Sequence, residues 1–331
     1  MALPTPTLPD RAAIDAAARL VHGVLPATPQ FAWPLLGAAL DAEVWVKHEN
    51  HTPVGAFKLR GGLVYFDALV RREPAVRGVI SATRGNHGQS IAFAARRHGL
   101  RCVIAVPHGN SREKNAAMRA LGAELLEHGD DFQAAREEAA RRAERDGLHY
   151  VPSFHRDLML GVCSYWTEFF GAQPDLDLVY VPIGLGSGVC ACVAVRNALG
   201  LRTRIVGVVS AGAPCYARSV AAGRPVEAPV TTQLADGLAC RVPEAEAVAV
   251  IAREVERIVE VDDAQVAAAM RLLFSATHNV AEGAGAAALA GALAERESVR
   301  GKRIGLVLTG GNVDADVFAR VLDGERNAWR S

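Results

Sequence analysis

The sequence predicts an α/β protein with two parallel sheets. Three observations carry that expectation: strand-like runs alternate with helical ones, one stretch forms a compact βα set by itself, and 331 residues that are 50% apolar suffice for two sizeable cores. The strand-like runs are Val79 to Ser81, Cys102 to Val106, Glu124 to Glu127, His149 to Val151, Leu178 to Pro182, Ile205 to Val209 and Ile304 to Leu308. The compact set is Arg77 to Ser153, flanked by segments free to pair with each other. No long linker, low-complexity tract or internal repeat interrupts the pattern.

Acidic and basic residues balance at 36 each, which gives no electrostatic reason to expect nucleic acid or membrane as a partner. Met1 to Thr5 lacks the basic start and apolar core of an export signal, and the alanine-rich run Ala284 to Ala294 is too short for a bilayer. A cytoplasmic protein is expected. The only close cysteine pair, Cys190 and Cys192, has no second pair to complete a zinc site, so the six cysteines read as buried thiols in a reducing compartment.

Lys58 is one of four lysines beside thirty-two arginines. Arginine replaces lysine on a solvated face, but only lysine loses its proton when desolvated and attacks a carbonyl. Lys58 is therefore a candidate Schiff-base residue, with Phe57 as a flat apolar wall, Gly55 allowing close backbone approach, and a helical stretch from Leu59 to Val70.

Three strand ends surround that choice. The run Leu176 to Ile183 leads into Gly184-Leu185-Gly186-Ser187-Gly188 and then a helix, Val189 to Leu199. Free backbone N–H groups and a helix N-terminus make this a phosphate cradle. A dinucleotide site wants a third glycine where Val189 stands and an acid after the next strand, which ends in Val209-Ser210. A nucleoside-triphosphate loop would end in Gly-Lys-Ser/Thr. A single phosphate is the expected anion. The loop Thr83-Arg84-Gly85-Asn86-His87 follows Val79 to Ser81 and opens a helix expected from about Ser90, suited to a carboxylate. After Ile304 to Leu308, Thr309 presents an uncharged hydroxyl that can meet a ring nitrogen.

Together these segments resemble the fold-type II pyridoxal-phosphate family, in its serine/threonine dehydratase and serine racemase branch, from about Leu25 to Asp314. The Lys-x-Arg-Gly pattern appears as Lys58-Leu59-Arg60-Gly61, with Ala56 replacing the usual serine. Ala235 to Leu238 and Glu282 to Ala286 resemble further family segments. The resemblance implies a tryptophan synthase β-like fold: two open twisted parallel-sheet domains with pyridoxal 5'-phosphate in the cleft. It implies a large cofactor-binding domain, 1–69 and 157–331, and a small inserted domain, 70–156, with no C-terminal regulatory domain. Lys58 inherits the cofactor aldehyde. Phe57, Asn86, Gly184, Leu185, Gly186, Ser187, Gly188 and Thr309 inherit cofactor contacts, and Thr83, Arg84, Gly85, Asn86 and His87 the substrate. The implied reaction is loss of water from a β-hydroxy amino acid in a homodimeric enzyme. The alternatives are a racemase, a β-replacement synthase, and a catalytically silent cofactor-binding protein.

Departures from the pattern sharpen the expectation. Arg84 stands where the racemase has a proton-delivering serine, and guanidinium is a poor acid. It is either a partner for a substrate carboxylate, as in 3-hydroxyaspartate, or a side chain turned to solvent or paired with a neighbouring acid. Val209 and Cys215 stand at carboxylate positions of divalent-dependent relatives, so no divalent ion is expected and backbone carbonyls remain for potassium. His87 is expected to shape its loop, and His48, His51 and His155 to be structural.

Overall fold

The computed structural model describes residue 3 and residues 7–324. The extreme N-terminal residues and the tail after the last helix, read above from sequence, lie outside the described residues. Among the described residues, two sheets form. The larger contains β1 (Gln30–Ala32), β2 (Glu43–His48), β7 (Leu178–Pro182), β8 (Arg204–Ser210), β9 (Arg257–Val261) and β10 (Arg303–Leu308), in the order β1-β2-β10-β7-β8-β9. Only β1 is antiparallel to its neighbour. The smaller contains β3 (Gly78–Ala82), β4 (Arg101–Val106), β5 (Glu124–Glu127) and β6 (His149–Tyr150), all parallel, in the order β5-β4-β3-β6.

Parallel neighbours need crossovers, and helices supply them. Asn86–Arg97 joins β3 to β4, Arg112–Ala120 joins β4 to β5, and Phe132–Asp146 joins β5 to β6. The last begins where Asp131 accepts the N–H of Ala134, buries Ala135, Ala139 and Ala143 at four-residue spacing, and stops at Gly147 with φ 63°. The large sheet is covered on both faces, and side chains in β7 alternate between them. Leu178 and Tyr180 enter one core with Val206 and Leu306; Val179 and Val181 enter the other with Trp166 and Phe169.

The helix Lys58–Arg72 buries Leu59, Leu63, Phe66 and Leu69, places Arg71 and Arg72 in its last turn, and stops before Pro74. An interior ion cluster pins its start. Arg60, 0% exposed, donates to Glu49 at 2.7 and 2.9 Å and to Glu168 at 2.6 and 3.0 Å. Lys47 donates to Glu168 at 2.5 Å and to the Thr28 carbonyl at 2.7 Å. Two cations thus balance two carboxylates in a largely buried cluster, with the exposed His22 reaching Glu168 at its rim at 2.8 Å.

The alanine-rich segment is the buried helix Gly283–Ala294, and no helix among the described residues is long and apolar enough to cross a membrane. All six cysteines are buried and unpaired. The largest shift among the expected boundaries is at the helix expected from Ser90, which already starts at Asn86, because Thr83 turns the chain by accepting the Gly85 N–H at 2.9 Å.

Candidate active site

A cavity of about 300 Å³ opens between the two sheets, at the carboxyl ends of β3, β7 and β10. In open parallel sheets this is where ligands bind. Every site residue named from sequence lines it: Phe57 and Lys58, then Thr83 to His87 after β3, Gly184 to Gly188 after β7, and Thr309 after β10.

Three helices begin here: Lys58–Arg72, Asn86–Arg97 and Ser187–Ala198. None has a side chain at its N-cap position that accepts a first-turn N–H, although the Gly88 N–H reaches the Thr83 oxygen at 3.4 Å. Gly186 adopts φ +97°, a left-handed value that turns the chain into its helix. Gly188 has no such need. A Cβ there would come no nearer than 3.9 Å to the surrounding protein atoms, so the missing side chain leaves room for a ligand rather than for the fold.

Lys58 is enclosed, its amine 5.3 Å from the Phe57 ring centroid. Burial pushes its pKa down to about 8, against the opposing charge of Glu282 and the nearby Cys240. His87 is pushed down to about 3 by burial and by Lys58, so it is neutral at neutral pH, and its Nε2 is buried without a partner. Asn86 is held at both ends of its amide: Nδ2 donates to Glu282 at 2.5 Å, and Oδ1 accepts from Asn312 at 2.8 Å. The Thr309 hydroxyl makes only a long 3.4 Å bond to the Ala284 carbonyl, and is free to turn to a better acceptor.

The Arg84 guanidinium lies 3.7 Å from Asp236 and remains 41% exposed. Thr83 uses its oxygen on Gly85 and, at 3.4 Å, on Gly88, shaping the loop from within. Val209 and Cys215 are buried in an apolar core, and no cluster of three metal-ligating side chains occurs among the described residues. Lys114, Asp236 and Glu282 also line the cavity and were not selected as site residues from sequence. The lysine scarcity that singled out Lys58 applies equally to Lys114.

A family model described as pyridoxal-phosphate dependent enzyme matches residues 23–310. The chain belongs to that family. Among relatives of this pyridoxal-phosphate dependent enzyme is the biosynthetic L-threonine dehydratase of Salmonella typhimurium, 34% identical over 298 residues, covering 89% of this chain and 58% of the relative. The chain thus spans little more than half of that protein. The L-threonine ammonia-lyase of Thermotoga maritima is 30% identical over 94% of this chain and 77% of its own length. Among solved structures, the processed form of threonine deaminase isoform 2 from Solanum lycopersicum superposes with a TM-score of 0.87 at 27% identity, covering 98% of this chain and 96% of that one.

The cavity fits the family's cofactor: an enclosed amine of lowered pKa, a glycine loop with vacant space and free N–H groups, an unpartnered imidazole nitrogen, and an uncharged hydroxyl at a strand end.

Proposed function

We propose that this pyridoxal-phosphate dependent enzyme removes water from a β-hydroxy amino acid of the threonine or serine type, yielding a 2-keto acid and ammonia. The observation that carries the reading is one cavity lined by both the low-pKa amine of Lys58 and the neutral hydroxyl of Thr309, which we assign to the ring nitrogen. An acidic residue there would favour amino transfer, whereas a neutral one favours prompt elimination. The names of the threonine dehydratase and ammonia-lyase relatives agree.

In this reading Lys58 holds the cofactor aldehyde carbon, Phe57 packs beside it, and the N–H groups from Gly184 through Leu185, Gly186 and Ser187 to Gly188 hold the phosphate. Asn86 meets the ring hydroxyl and Thr309 the ring nitrogen. The loop Thr83 to His87, at a helix N-terminus, receives the substrate carboxylate with Arg84 at its rim. When bound, pyridoxal phosphate supplies the electron-withdrawing ring that acidifies the substrate's α-hydrogen. Lys58, once released, takes that proton, and His87, whose pKa of about 3 makes it a far weaker base than Lys58, keeps its loop in shape without competing. The loss of one water and the uptake of another convert the amino acid to keto acid and ammonia.

The reading extends to a small domain at 70–156, supported by β3 to β6 all lying within it, inserted in a large one formed by 1–69 and 157–331. It extends also to a cytoplasmic homodimer. Six unpaired thiols support the reducing compartment, and the exposed Phe31 and Leu35 at the edge of the large sheet offer apolar surface to a second copy.

The test is an absorbance spectrum followed by keto-acid and ammonia assays across L-threonine, L-serine, phenylserine and the hydroxyaspartate stereoisomers. Product is expected from at least one. A yellow protein without turnover, a product that needs sulfide, or inversion without ammonia would each replace the elimination reading.

The lowered lysine pKa adds a kinetic expectation. At pH 7 about a tenth of Lys58 is neutral, against about one part in three thousand at the ordinary lysine value. The rate of cofactor capture by apoprotein should rise about tenfold per pH unit below about pH 8 and level off above it. Stopped-flow absorbance at several pH values checks this, and a rise continuing to pH 10 would contradict it.

A further inference from the structure

Charged contacts across the cleft have a consistent polarity. The cations come from the segment carrying the small sheet, and the carboxylates come from the other side: Arg84 to Asp236 at 3.7 Å, Lys114 to Asp236 at 3.9 Å, and Lys114 to Glu282 at 3.2 Å. The Lys114–Glu282 pair is the buried one, with side chains 9% and 6% exposed. Burial alone would push Lys114 toward neutrality, but Glu282 and Asp236 outweigh it and keep the ammonium charged.

Glu282 faces two ways. One oxygen takes Lys114, and the other accepts the Asn86 amide at 2.5 Å. Asn86 is fixed in turn by Asn312, which also donates to the Val54 carbonyl. The Lys114 stem lies on the substrate loop, since a Cβ at Gly85 would fall 2.4 Å from its Cδ. The helix bearing Lys114 is itself tied across the cleft by exchanged caps: Asp314 accepts from Ser111 and the Arg112 N–H, while Glu113 accepts the Ala315 N–H.

We propose that Lys114 is a positioning residue: paired with Glu282, it clasps the small sheet onto the large one and sets the carboxylate that orients Asn86. The inference rests on the elimination reading of the same cavity. It makes Lys114 act through Glu282, with no proton passing to or from its amine.

The test uses holoenzyme carrying Lys114→Met, Glu282→Gln, or both, measuring kcat/KM with the best amino acid, melting temperature and the visible absorbance band. Each single change strands a buried charge and should lower both the melting temperature and kcat/KM, the latter at least tenfold. The double variant, a neutral pair of similar shape, should regain melting temperature while kcat/KM stays at least tenfold low. The band should shift in Lys114→Met. A Lys114→Met enzyme within twofold of wild type, or a double variant regaining rate together with stability, would overturn the proposal in favour of a merely structural pair. If Lys114→Met fails to fold, the double variant decides alone. Wild-type enzyme that shows the band but makes no keto acid would sink the elimination reading instead, and the band shift would then decide the role of Lys114.

Discussion

Replacing Lys58 by alanine should lower keto-acid and ammonia release by about a thousandfold or more, since a covalent anchor and the general base are lost together. Borohydride reduction of the wild-type holoenzyme should label Lys58 in a peptide map, and the variant should carry no label. Turnover surviving in Lys58→Ala would remove the assignment. Stability should move the other way in Lys58→Met apoprotein, which keeps the apolar stem. The folded pKa of Lys58, about 8, lies below its ordinary value near 10.5, so the unfolded chain binds the extra proton between these limits. The cost of burying Lys58 is therefore fully present below about pH 8 and fades as pH rises toward 10.5. Lys58→Met apoprotein should melt higher than wild-type apoprotein at pH 7, and the gap should close in alkali.

The second large effect is on folding. Arg60→Ala removes the guanidinium that faces both Glu49 and Glu168, leaving Glu168 with Lys47 and His22, and Glu49 with only the Thr28 hydroxyl. Breaking such a cluster costs about 3–5 kcal/mol. At about 2–4 °C per kcal/mol for larger domains, the melting temperature should fall by at least about 6 °C. Arg60→Lys should recover only part, because an ammonium cannot reproduce the planar fork that grips two carboxylates. Thermal melts by circular dichroism check both variants, and a loss of less than about 1 kcal/mol in Arg60→Ala would show that the carboxylates find water or protonate cheaply.

The interior of the fold was legible because parallel strands covered on both faces read as unbroken apolar runs. Glu124–Glu127 and Leu178–Pro182 have the expected limits, and the other expected strands shift by one residue at one end or, in β3 and β8, at both. β2 and β9 were missed, since Lys47 and His48 interrupt the first and Arg257 and Glu260 the second, while β1 has three residues. Those charges are explained only by tertiary partners: Lys47 by Glu168, His48 by the Trp33 indole, and Arg257 by Glu295.

The cavity lining was legible for a different reason. Its backbone donors sit in glycine loops directly after strands, and a local pattern of that kind survives in sequence. Lys114 was marked only by the scarcity of lysine, and Asp236 and Glu282 only by lying in segments that resemble the family's; their pairing across gaps of more than forty residues left no trace in local sequence. Arg84 was left between two partners for the same reason, and the acid that claims it lies far along the chain.

The burial of the lysines has a practical side. Lys47 and Lys114 are buried and Lys58 lines the cavity, whereas Lys302 lies partly open just ahead of β10, whose far end carries Thr309 at the cavity. A strand of that length spans about 20 Å. Bulky reagents that couple to primary amines but cannot enter the cavity to reach Lys58 would find one internal handle among the described lysines, on the side of the large sheet away from the entrance. Tethered there to a bead or sensor chip, the molecule would present its mouth to the flowing solution.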